Sequence, residues 1–129
     1  MQIIIPMSGV GKRFIEAGYK DPKPLIEVDG KLIIEHVINL FPNKSNIKFI
    51  CNDLYLKETN MRKVLNSFSP NGEIYEVPVE GRMGPVHAVS LIFDAIDDNE
   101  EVIVSYCDYG TYWDYEQFLK DTRERNADG

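Results

Sequence analysis

Residues 3–14 read IIIPMSGVGKRF: an apolar run, then Gly9 and Gly11, then the pair Lys12-Arg13. Two glycines in one loop can take backbone angles closed to other residues, so successive amides can turn toward a single anion. Lys12 and Arg13 can add charge-assisted bonds, and a guanidinium grips two phosphate oxygens at once. The chemistry suggested is phosphate binding; the plainer alternative is a strand-to-helix turn carrying surface cations. The P-loop pattern G-x-x-x-x-G-K-[ST] fits only at Gly11-Lys12. Pro6 stands in the place of its first glycine and Arg13 in that of the Mg²⁺-holding hydroxyl.

Three other stretches carry residue types suited to the same chemistry. In DPKPLI, residues 21–26, prolines flank Lys23. The proline after it denies Lys23 the helical conformation, which makes it either a positioned charge or an exposed residue of a stiff loop. In YCDYG, residues 106–110, Asp108 follows an apolar run. One carboxylate there suits Mg²⁺, which completes its shell with water and phosphate oxygens, although an acid that merely opens the next turn would look the same. No D-x-D motif is present, since Tyr109 and Gly110 follow Asp108. In EGRMGPVHAV, residues 80–89, Gly84 would let backbone approach a flat ring closely, and Pro85 suits the first position of a helix. His87 and His36 read as structural or boundary residues, and no Ser/His/Asp or Cys/His set assembles.

Elements that could position these residues follow from periodicity. Gln2–Pro6, Ile47–Cys51, Glu73–Val77 and Val102–Tyr106 are short, rich in Ile and Val and show little polar alternation, as expected of strands covered on both faces. Helical spacing of apolar residues marks Leu32–Phe41, Leu54–Phe68, Val86–Ile96 and a last segment from Asp114, where Asp114 and Gln117 make a capping pattern. Asp29-Gly30 signals a tight hairpin between Ile26 and Leu32. Strands alternating with helices imply a three-layer, Rossmann-like α/β domain with a mostly parallel sheet. In such sheets ligands bind beyond the carboxyl ends of the strands, which selects Met7–Arg13, Asn52-Asp53, Pro78–Gly84 and Cys107-Asp108.

The chain has 129 residues, 43% of them hydrophobic and 27% charged, the size and composition of one globular domain. Its net charge of −7 opposes a nucleic-acid partner. From residue 93 onward eleven acidic residues face three basic ones, so the cations of the first segment stand out. Cys51 and Cys107 read as small buried hydrophobes of a reducing compartment. No apolar run reaches the roughly 18 residues of a membrane span, so no membrane partner is expected and the cytoplasm is the expected location.

In their order and spacing, IIIPMSGVGKRF, DPKPLIEVDGKLIIEHVI, RMGPVHAVSL and VIVSYCDYG resemble the segments of sugar-phosphate nucleotidyltransferases. The resemblance covers nearly the whole chain. It implies that Gly9, Gly11 and Arg13 hold a triphosphate with Lys12 assisting, and that Lys23 stabilises the α-phosphate during transfer. Met7, Ser8 and Gly84 would border the base, and Asp108 would carry one bond to Mg²⁺. The implied substrates are a nucleoside triphosphate, with a lean toward CTP over UTP or dTTP, and a phosphorylated sugar or comparable capsule precursor. Members of this family are generally about twice as long, with a second metal-binding Asp and most of the acceptor pocket in their later part. The chain is therefore expected to be the nucleotide-binding half of such a domain, incomplete at its C-terminus, with a surface that could form a homo-oligomer. A non-catalytic nucleotide-binding module and a P-loop NTPase or kinase are the alternatives.

Overall fold

Runs of isoleucine and valine without polar alternation have two faces to bury, and a sheet between two helical layers buries both. In the computed structural model, which describes residues 1–42 and 46–127, the strands are β1 (Gln2–Met7), β2 (Glu27–Val28), β3 (Lys31–Leu32), β4 (Ile47–Asn52), β5 (Glu73–Val77) and β6 (Val102–Val104). Four of them make an all-parallel sheet in the order β5-β4-β1-β6. The other two form the hairpin expected at Asp29-Gly30. Both turn residues have positive φ, 52° and 77°, as a two-residue turn matched to strand twist requires.

Side chains alternate between the two faces. Ile3, Ile5, Met7, Ile47, Phe49 and Cys51 pack under α2 (Ile33–Ile38) and α4 (Met61–Phe68), against Ile34, Val37, Ile38, Met61 and Leu65. Ile4, Ile50 and Val77 point the other way, under Ala88 of α5 (Pro85–Ser90) and Ile92. Every residue of β1 and β4 is buried, whereas β6 leaves Val102 and Val104 exposed. The expectation of strands covered on both faces thus holds for the central pair and fails at both edges, since β5 buries only Val77 and leaves Glu73 and Glu76 exposed.

The helices are shorter than apolar periodicity suggested. The segment 54–68 divides into α3 (Asp53–Glu58) and α4, because Thr59 is extended (φ −128°, ψ 175°) and its hydroxyl accepts from the Met61 amide at 3.2 Å. The segment 86–96 divides into α5 and a 3₁₀ turn at Phe93–Ala95, and 32–41 contracts to α2. Asp114 caps α6 (Tyr115–Glu124) as the sequence suggested, accepting from the Gln117 amide at 2.9 Å. A five-residue helix, α1 (Lys12–Glu16), follows β1. No helix among the described residues is long and apolar enough to cross a membrane.

β6 ends at Val104, two residues short of the apolar run, and β1 supplies the reason. Gln2 donates to the Glu101 carbonyl and the Ile4 carbonyl accepts from Ser105, so even-numbered residues of β1 face β6. The next donor on that side would be residue 6, a proline without an N–H. The ladder stops there and the two strands separate.

Gly72, at the turn into β5, sits where a side chain has no room. A Cβ there would lie 2.6 Å from Ser69 Oγ, 3.0 Å from a Phe49 ring carbon and 3.2 Å from the Ile47 carbonyl oxygen. Gly72→Ala is expected to cost about 1–3 kcal/mol by overpacking. A melting temperature equal to wild type in a thermal scan would contradict this.

Candidate active site

The chain runs from β1 out to β4 and β5, then returns to place β6 on the other side of β1. That reversal is a topological switch point, where open α/β sheets bind ligands. The separation of β1 and β6 after Pro6 leaves a crevice of about 350 Å³ there. Its walls come from five segments: Pro6–Gly9 with Gly11, Lys23-Pro24, Arg82, Gly84-Pro85 and Tyr106–Asp108. Of the residues selected from sequence, Met7, Ser8, Gly9, Gly11, Lys23, Gly84 and Asp108 all line it.

Lys12 and Arg13 do not. Both lie exposed on α1, and Lys12 reaches Glu16 at 3.9 Å rather than the crevice. The turn into that helix depends on Gly11, whose φ of 61° favours glycine and whose missing Cβ would lie 3.4 Å from Lys23 Cβ.

Lys23 reaches the crevice because its neighbours are pinned. Pro22 and Pro24 are buried, and the 3₁₀ turn Lys23–Leu25 is closed by Leu25 N–H to the Pro22 carbonyl at 2.8 Å. Its ammonium donates to Asp108 Oδ2 and lies 4.9 Å from the centre of the Phe14 ring. Two charges 85 residues apart in sequence therefore meet at one point, each side chain about 30% exposed. No cluster of three His, Cys, Asp or Glu side chains suited to a metal occurs among the described residues. His36 donates to or accepts from nothing in the crevice; its Nε2 meets the Val28 carbonyl at 2.8 Å.

No protein-family model matches the chain. Over 48 residues, 37% of this chain and 20% of the relative, it is 46% identical to 2-C-methyl-D-erythritol 4-phosphate cytidylyltransferase of Wigglesworthia glossinidia brevipalpis. Over 89 residues, 69% of this chain and 20% of the relative, it is 34% identical to the bifunctional protein GlmU of Methanococcus maripaludis. A match of 27% identity over 66 residues, 51% of this chain and 29% of the relative, is to phosphoribosylformylglycinamidine synthase subunit PurQ of Methanocaldococcus jannaschii, whose name denotes a different activity. Among solved structures, a nucleoside-diphosphate-sugar pyrophosphorylase from Vibrio cholerae RC9 superposes with a TM-score of 0.67 at 24% identity, covering 91% of this chain and 53% of that one. HddC from Yersinia pseudotuberculosis, complexed with GMP-PN, gives 0.69 at 18% identity, covering 94% and 53%. In sequence and in fold the chain is similar to sugar-phosphate nucleotidyltransferases. It spans a fifth to under a third of the curated relatives it matches and about half of these two solved chains.

Around the glycine loop of this nucleotidyltransferase fold stand residues that the sequence did not single out. Asn52, fully buried at the end of β4, donates to the Ser8 carbonyl at 3.1 Å, and Tyr55 Oη donates to the Val10 carbonyl at 2.6 Å. Arg82 donates to the Val79 carbonyl at 2.5 Å and the Ser8 carbonyl at 3.3 Å. Asp53 Oδ1 accepts the Val79 amide at 2.9 Å, which ties the segment after β5 to the end of β4. The sequence signal for Asn52, Asp53 and Arg82 was only their place, at two strand exits flagged as ligand-facing, and Tyr55 fell inside the segment read as a helix; nothing in their types marked them.

Both cysteines are free thiols. Burial pushes Cys51 up to about 12, with the neighbouring Cys107 adding to it. Burial and then the charge of Asp108 push Cys107 up to about 11, although that residue lines the crevice. At pH 8 the thiolate fraction of Cys107 would be about 10⁻³, far below that of an ordinary thiol. Reaction with Ellman's reagent at that pH should therefore be at least about 100-fold slower than with free cysteine and become fast on unfolding. Rapid modification of the folded chain would refute the burial argument.

Proposed function

We propose that this crevice is the nucleotide site of an enzyme that transfers a nucleoside monophosphate from a nucleoside triphosphate to a phosphorylated sugar or similar small metabolite, releasing pyrophosphate. The observation that carries the reading is the meeting of Lys23 with Asp108 in a switch-point crevice that Gly9 and Gly11 also line. The names of the cytidylyltransferase and pyrophosphorylase relatives support the same chemistry.

The reaction needs few special groups. An ionised phosphate oxygen of the acceptor attacks the α-phosphorus, the bond from that phosphorus to the bridging oxygen breaks, and pyrophosphate departs with the electron pair. The attacking oxygen is largely ionised at pH 7, so no general base is required. This accords with the lack of any histidine among the crevice-lining residues. Lys23, released from Asp108, would stabilise charge on the α-phosphoryl oxygens by a preorganised ammonium. Asp108 fits a hard divalent cation such as Mg²⁺, which needs only one or two carboxylates beside phosphate oxygens and water. When bound, Mg²⁺ would neutralise the triphosphate. Arg13 and Lys12 on α1 would serve phosphates extending past the rim of the crevice. CTP is the favoured nucleotide, a capsule or cell-surface precursor the favoured product class, and the cytoplasm the location.

Thermal scans with CTP, UTP, dTTP, ATP and GTP, each with and without Mg²⁺, test the site. A ligand at a hundred times its Kd adds about 2.7 kcal/mol, which is easily measured. A Mg²⁺-enhanced shift that is largest with CTP is expected, and no shift with any nucleotide would overturn the reading. In pyrophosphate-release assays Lys23→Ala should lower turnover by about 10²–10³ while nucleotide affinity changes by only a few-fold. Equal turnover would remove Lys23 from the chemistry.

A further inference from the structure

A loop of the sequence Ser-Gly-Val-Gly can present its amides to a ligand only if something decides which way each peptide faces. In a trans peptide the carbonyl oxygen and the following N–H point in opposite directions, and no peptide among the described residues is cis. The Ser8 carbonyl is held by Asn52 Nδ2 at 3.1 Å, with Arg82 Nη1 at 3.3 Å, and the Val10 carbonyl by Tyr55 Oη at 2.6 Å. Fixing those two carbonyls fixes the N–H groups of Gly9 and Gly11, the next residues in each case. Asn52 and Tyr55 stand at the end of β4 and in the first turn of α3, and neither lines the crevice, whereas Gly9 and Gly11 both do. Their pull on the carbonyls turns both glycine amides away from α3. Neither amide donates to a protein acceptor among the described residues.

We infer that Asn52 and Tyr55 are positioning residues that hold the Ser8 and Val10 carbonyls back so that the Gly9 and Gly11 amides face a polyphosphate. The inference rests on the nucleotide-site reading above and extends it to residues that never touch the ligand. Asn52 does this while serving a second purpose. Its Oδ1 caps α3 by accepting the Tyr55 amide at 2.8 Å, so one buried amide ties the cap of that helix to the shape of the loop. Tyr55 then sits on the first turn of the helix that Asn52 caps, which sets the reach of its hydroxyl to Val10.

Two substitutions separate positioning from folding. Tyr55→Phe removes only the hydroxyl, and Asn52→Ser keeps a capping oxygen while removing the donor to Ser8. Binding of inorganic tripolyphosphate and of CTP would be measured by calorimetry, beside the melting temperature of the ligand-free chain. Each substitution removes one bond in the clamp. Tyr55→Phe is therefore expected to melt near wild type yet bind both ligands about five- to tenfold more weakly, by the same factor for each because the base is not involved. Asn52→Ser should show the same matched loss. Undiminished tripolyphosphate affinity in Tyr55→Phe, or a loss confined to CTP, would overturn the clamp while leaving the nucleotide site standing. A wild-type chain that binds neither tripolyphosphate nor any of the five nucleotides would overturn the site reading, and the clamp with it.

Discussion

Proline near the end of a central parallel strand removes a ladder donor, and here the loss falls on the side facing β6. The register runs to Ile4, whose carbonyl accepts the Ser105 amide; beyond it β6 finds no N–H on Pro6, and the strands part. The opposite neighbour is unaffected, because odd-numbered residues face β4 and that register runs on through Met7 to Cys51. One missing N–H thus keeps β1 anchored on one side while opening it on the other. The crevice, the turn that carries Asp108, and the space into which Lys23 projects all lie in that opening. The residue that spoils the P-loop pattern at position 6 is the one that makes room for the site.

The electrostatics of the opening are arranged for exchange. Lys23 and Asp108 neutralise each other, and the Phe14 ring lies close to the ammonium, so neither charge is left alone in a partly enclosed space. A polyphosphate with a divalent cation brings a replacement partner for each group: anionic oxygens for the lysine, a cation for the carboxylate. Because the pair is only partly buried, breaking it costs far less than breaking one deep in a core.

Much of this was legible in the sequence where local chemistry sets structure. The isoleucine-rich strands, the Asp29-Gly30 hairpin and the Asp114 cap each follow from a few adjacent residues. The strand-exit rule selected the stretches that hold Met7, Ser8, Gly9, Gly11, Gly84 and Asp108, and the flanking prolines marked Lys23; all seven line the crevice. Other features depended on partners distant in sequence. The early end of β6 needed the knowledge that β1 presents Pro6 to it, and the division of residues 54–68 turned on the single extended conformation of Thr59. Lys12 and Arg13 look like phosphate ligands by composition, yet α1 directs them outward. Asn52 and Tyr55 carry no sequence signature because what distinguishes them is which carbonyls they meet.

The pairing of β1 with β6 also has a kinetic side. Gln2 aligns with Val102, and the amino-terminal ammonium reaches Glu100, 99 residues away, at 3.1 Å. Contacts of such sequence separation bear a large loop-closure entropy and tend to form late, after more local pairings have reduced the search. The β1–β4 and β4–β5 registers and the α2 layer bridge shorter spans and can assemble first. The crevice has one wall from each side of that long closure, so it comes into being only with the last pairing. Any ligand that joins the two walls would bind the completed fold alone and slow its reopening at β6.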